Sequence, residues 1–119
     1  MGKFIFGTTL KIDIDDRVLA HLQTVILSKV RRGEAFSFTW KDDLSTGGGR
    51  TTVYIHAHSA MAFKYQGSRH PTLNQAWLHD LSHHAQSRRG LYVCPEPDRE
   101  AVNEVTQSPM QFRVAEFSR

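Results

Sequence analysis

The stretch LKIDIDDRVLAHLQTVILSKVRRG, residues 10–33, changes its period partway along, and that change decides the fold. Leu10, Ile12 and Ile14 alternate with Lys11 and Asp13, the two-residue repeat of a strand with one buried face. Beyond Asp15-Asp16 the apolar residues Val18, Leu19, Leu22, Val25, Ile26 and Val30 recur at three- and four-residue spacing, the stripe of a helix packed on one side. Asp15 or Asp16 can accept from the free amides of the first turn, where negative charge also suits the helix dipole. Lys29, Arg31 and Arg32 fall in the last turn, and Gly33 supplies a left-handed exit. A strand therefore runs straight into a helix predicted over residues 16–32.

Working outward, residues 3–6 read as a first strand, joined to the second by Gly7-Thr8-Thr9. Ala35 to Trp40 returns to period two, with Phe36, Phe38 and Trp40 on one face. After a turn-rich segment, Thr51 to His56 alternates again with Val53 and Ile55 inward, so the two runs form a hairpin with a long connection. A further strand spans Ala60 to Tyr65. Thr72 and Gln75 match a capping box, and Leu73, Ala76, Trp77, Leu81 and Ala85 give the stripe of a second helix over 72–89, ended by Arg88-Arg89-Gly90. Leu91 to Cys94 is a last short strand stopped by Pro95-Glu96-Pro97. The order is ββαβββαβ: a single α+β domain with two helices on one face of a mainly antiparallel sheet. The domain takes residues 1–97. Residues 98–119 read as a polar C-terminal tail, in which Phe112, Val114 and Phe117 suggest an extra strand over 111–117.

The length of 119 residues suits one core, and 39% hydrophobic with 23% charged residues indicates globular folding. No apolar run reaches the roughly 20 residues that cross a bilayer. Residues 1–7 lack the features of a signal peptide, and Cys94 stands alone, so no intramolecular disulfide is available. A cytoplasmic location and no membrane association are expected.

Motifs that carry chemistry are sparse. Gly47-Gly48-Gly49-Arg50 lacks the Gly-Lys-Ser/Thr ending of a phosphate loop and reads as a hairpin loop. His79 and His83 have the four-residue spacing of two metal ligands, but also the pattern of a wet helix face. Asp13, Asp15 and Asp16 read as capping residues, Asp42 and Asp43 as turn residues, and Cys94 as a small buried residue. No catalytic residue, cofactor or metal is assigned.

The basic residues form the most informative set. Arg31 and Arg32 end one helix, Arg88 and Arg89 the other, and Arg50, Lys64 and Arg69 lie at strand ends and turns. If the helices run parallel, both arginine pairs emerge at one edge of the sheet. The sheet face away from the helices would carry Thr39, Tyr54, His56, Lys64 and Tyr92, and aromatics mixed with bases on an open sheet can stack nucleobases. Arg31, Arg32, Arg50, Tyr54, Lys64, Arg69, Arg88, Arg89 and Tyr92 are accordingly the candidate nucleic-acid contacts. The net charge of +3 and pI of about 9.3 agree with phosphate contact. The favoured function is a small non-enzymatic binding module. The alternative is a protein-interaction or homo-oligomeric adaptor using the same open sheet, and an enzyme comes third.

Several stretches carry a family resemblance: Met1-Gly2-Lys3-Phe4, Arg17 to Leu22, Arg31-Arg32-Gly33-Glu34 with Phe36, Phe38 and Trp40, and Gly49-Arg50-Thr51-Thr52. Gly67-Ser68-Arg69, Pro71-Thr72-Leu73-Asn74, Trp77-Leu78, and Gly90-Leu91 before Pro95-Glu96-Pro97 complete it. The chain resembles small actinobacterial proteins of unassigned function that often bear the label "ATP-dependent DNA ligase". That label implies a lysine nucleophile in a Lys-x-Asp-Gly element, whose amine attacks the α-phosphate of ATP. Lys11-Ile12-Asp13 has its first three positions, but Ile14 replaces the glycine in a strand pattern.

Overall fold

The computed structural model describes residues 1–42, 45 and 47–98. The predicted period change is present: strand β2 (Leu10–Ile14) leads into helix α1 (Asp16–Arg31) across Asp15. Asp15 caps the helix by accepting from the Arg17 amide at 3.1 Å. Asp16 turns away and accepts from the backbone amides of Gln66 and Gly67, tying that loop to the start of α1. At the far end the amides of Arg32 and Glu34 both return to the Lys29 carbonyl, and Gly33 takes φ of 74°.

Helix α2 (Gln75–Gln86) is shorter than the 72–89 expected. Asn74, a stronger cap than threonine, accepts from the amides of Ala76 and Trp77, so the Thr72–Gln75 capping box does not form. The Thr72 carbonyl instead accepts from Arg17. The helix closes at Ser87, whose amide returns to the His84 carbonyl, and Arg88 and Arg89 therefore lie beyond it.

Among the described residues the expected single sheet is two. Strand β1 (Gly2–Phe6) lies between β2 and β5 (Met61–Lys64), antiparallel to both, with Phe4 opposite Ile12 on one side and Phe63 on the other. Strands β3 (Phe36–Lys41) and β4 (Arg50–Ile55) form a separate antiparallel pair, with Phe38 opposite Val53 and Lys41 opposite Arg50. The final strand expected over 91–94 contracts to one parallel bridge, Leu91 to Phe38. The Leu91 amide donates to Ser37 and its carbonyl accepts from Thr39. Gly90 makes this approach feasible. It sits at φ of 79°, and a Cβ there would stand 2.7 Å from the Ser37 carbonyl oxygen.

The two sheets meet face to face through aromatic side chains. Across the sheets Phe4 contacts Phe38 edge-on at 5.5 Å between centroids and Trp40 at 6.2 Å, and within its own sheet it meets Phe63 at 5.4 Å. Leu19, Leu22, Val25 and Ile26 of α1, with Trp77, Leu78, Leu81 and Ala85 of α2, close this core. Each large side chain buried there contributes roughly 1.5–3 kcal/mol. His21 in the first half of α1 lies 4.5 Å from Trp77 at the start of α2, while Lys29 near the end of α1 shares a hollow with Ala85 and Gln86 at the end of α2. The helices therefore run in the same direction. The strand suggested over 111–117 lies outside the described residues.

Candidate functional site

The two sheets leave a groove of about 570 Å³ between the free edge of β2 and the point where the chain after Leu91 departs from β3. Its apolar lining is Ile12 and Ile14 of β2, Phe38 and Trp40 of β3, and Tyr92 with Val93. Lys41, Arg50 and Arg89 supply positive charge, and all three are exposed. Lys41 and Arg50 face each other across the β3–β4 ladder, so the pleat places both on the outer face of that pair. The Arg89 guanidinium lies 5.8 Å from the centre of the Tyr92 ring, and His84 of α2 stacks against that ring at 4.4 Å. Among the described residues, Lys41, Arg50 and Arg89 have no carboxylate within ion-pair distance. Among the described residues Asp13 is the one acid in the lining. It is already held by Lys3 at 2.6 Å, whose ammonium keeps the Asp13 carboxyl below the usual carboxylate range.

Of the nine candidate contacts, the groove gathers Arg50, Arg89 and Tyr92. Tyr54, 63% exposed on β4, and Arg88 line a separate hollow beside Lys29 and Glu34. Arg31 is exposed at the end of α1, and Arg32 pairs with Glu34 at 3.2 Å. Arg69 lines a third hollow with Tyr65 and His70. Lys64 belongs to β5, in the other sheet from Tyr54, so the single open face expected to join them does not exist. The cause is the split of the sheet, which period-two patterning alone cannot reveal. Lys41 and Trp40 join the groove although the sequence singled out neither as a contact. Lys29 lies in the last turn of α1, as expected. It is buried, with its ammonium 3.1 Å from Glu34.

A second polar cluster, legible only in three dimensions, fastens the end of the molecule where both helices begin. Arg17 makes a two-pronged contact with Glu96, at 2.9 and 2.6 Å, and donates to the Thr72 carbonyl. Asn74 donates to Glu96 and to the Pro97 carbonyl while capping α2. His21, fully buried, accepts from the Asn74 amide at Nε2 and donates from Nδ1 to the Arg17 carbonyl, which fixes its tautomer as a neutral ring. Burial lowers the His21 pKa accordingly. Hydrogen bonds from Arg17 and then Asn74 hold Glu96 down to about 2. Trp77 donates to the Cys94 carbonyl at 2.9 Å, and burial pushes the Cys94 thiol up, as befits an unreactive packed residue.

Comparison with curated proteins and with solved structures gave no match. A family model described as a domain of unknown function (DUF7882) matches residues 1–96, a span that takes in both sheets, both helices, the groove and the Arg17–Glu96 contact. The chain belongs to that family of uncharacterised domains.

Proposed function

We propose that the protein is a small non-enzymatic binding module that contacts nucleic acid through the groove between its two sheets, acting in the cytoplasm. One observation carries this: three cations without carboxylate partners among the described residues, Lys41, Arg50 and Arg89, line the same groove as Tyr92 and Trp40. Cations that served stability alone would be expected to sit beside acids, as Arg17 and Lys29 do. Phosphates suit the charges and base faces suit the rings. The test is a salt titration with labelled single-stranded and duplex DNA and RNA. Each phosphate contact steepens the dependence of log K on log salt by about 0.7–0.9, so replacing Arg50 and Arg89 by alanine should flatten the slope by about 1.4–1.8. Absence of any shift at low salt and micromolar protein rejects this role.

The ligase label of the small actinobacterial proteins that the chain resembles also concerns nucleic acid, but no ligation is proposed. Lys11-Ile12-Asp13-Ile14 lies within β2, with a half-buried isoleucine where the adenylation element needs glycine. Incubation with ATP should leave the intact mass unchanged. An AMP adduct lost on changing one lysine would restore the enzymatic reading.

A second reading, homo-oligomerisation, is favoured by the outer edge of β2, which carries no strand among the described residues. An antiparallel pairing of β2 with β2 of another copy, centred on Ile12, sets Lys11 opposite Asp13 twice over and covers the exposed Leu10 with Ile14. Light scattering would report a dimer that Lys11→Asp disperses. Because Ile12, Asp13 and Ile14 also line the groove, such a dimer and nucleic acid would compete.

A further inference from the structure

We infer that the groove takes an unpaired nucleotide, with an acceptor atom of the base on the indole N–H of Trp40 and its phosphates on Arg50, Arg89 and Lys41; this rests on the nucleic-acid role proposed above. The independent observation is that Trp40 Nε1 is buried and has no hydrogen-bond partner among the described residues, while the side chain lines the groove. A buried indole N–H normally finds a partner, and one left without any destabilises the fold. The contrast lies within the same chain, where Trp77 Nε1 donates to the Cys94 carbonyl at 2.9 Å. Trp40 is held in place by Phe4 at 6.2 Å and Phe38 at 5.4 Å, so its donor has a defined position.

The remaining lining narrows the ligand. A bare phosphate would use the cations and leave Ile12, Ile14 and Val93 uncovered, and an apolar peptide would leave the cations idle. A nucleotide joins a flat apolar body, an edge that accepts hydrogen bonds and an anionic backbone in one molecule. The volume of about 570 Å³ falls within the roughly 300–1,000 Å³ of pockets that hold one small ligand. Bases in a duplex are stacked and paired, so the ligand must be single-stranded or locally opened.

The experiment uses the full chain and three fluorescent oligomers of about 12 nucleotides, within the usual range of single-strand site sizes: a thymine homopolymer, an abasic strand of equal length, and a duplex. The thymine strand should bind at least tenfold more tightly than the other two. In a ¹H–¹⁵N spectrum its addition should move the Trp40 indole signal and leave that of Trp77 in place. Trp40→Phe, which keeps an aromatic ring and deletes the donor, should reduce the preference for the thymine strand over the abasic strand several-fold. Should that variant fail to fold, the indole shift decides alone. Equal binding of all three strands with a static Trp40 signal overturns the nucleotide pocket and leaves a phosphate-binding surface. No binding of any strand overturns both.

Discussion

The two polar regions of this molecule are built from similar residues and differ in how completely those residues are paired. Where the helices begin, Arg17, His21, Asn74 and Glu96 bond one another, and both ring nitrogens of His21 are in use. In the groove, three cations are exposed without a carboxylate, and one buried indole N–H lacks an acceptor, among the described residues. A polar group satisfied within the fold contributes to stability; one left unsatisfied in a concave site is available to a ligand. An arginine's role is therefore set by its neighbours, and Arg17 and Arg50 illustrate the two outcomes.

Mutations should separate the regions. The largest loss of stability is expected from Asn74→Ala, which removes the α2 cap and strips partners from Glu96, Pro97 and the helix amides. The cost is about 2–4 kcal/mol, a fall of roughly 10 °C in melting temperature, read by calorimetry. Oligonucleotide affinity of the folded fraction should hold; if it falls as well, the two regions are coupled and the contrast breaks. Gly90→Ala comes next, at about 2–3 kcal/mol, because it combines a left-handed backbone with a Cβ that crowds Ser37. By shifting Leu91 and Tyr92 it should weaken both stability and binding, the one substitution expected to do so.

Acid should loosen the helix-start cluster in two stages. His21 has a lowered pKa in the folded state, so its contribution is present above the ordinary value of 6.5 and declines as pH falls through it. Glu96, likewise lowered, contributes fully above 4.5 and loses its contribution as pH falls toward 2. Melting temperatures across this range should flatten below pH 4.5 in Glu96→Gln; an unchanged profile would show that the ion pair is idle. The smallest stability change, within about 0.5 kcal/mol, is expected from Arg50→Ala with Arg89→Ala, since neither has a carboxylate partner among the described residues. The same pair should reduce oligonucleotide affinity more than Arg31→Ala with Arg32→Ala, and the reverse order would move the binding surface to the end of α1.

Much of the fold was legible because it rests on local periodicity. The switch at Asp15, the inward set Phe36, Phe38 and Trp40, and the glycine exit of α1 all follow from residues adjacent in sequence. What was not legible depends on distant pairs. Asn74 displaced Thr72 as the cap because it also reaches Glu96, 22 residues away, and strand 91–94 shrank because only Leu91 meets β3. The candidate site divided for the same reason. Arg50, Arg89 and Tyr92 converge, whereas Lys64, Arg69 and Tyr54 scatter, and composition cannot tell these groups apart. His21, three residues after Val18 and four before Val25, shares the buried face of α1 by position, but its polar ring gave no sign of full burial.

The contact between Arg17 and Glu96 joins residues 79 apart in sequence. During synthesis, α1 leaves the ribosome long before the carboxylate that will fasten it, and the buried ring of His21 waits for Asn74 in the same way. The early strands and α1 thus exist for a time with their apolar face uncovered, at roughly 5–20 residues added per second. Closure by such distant partners favours slow, late-cooperative folding over stepwise growth. A nascent chain stalled before residue 96 should accordingly bind chaperones and yield to protease, and one released a few residues later should resist.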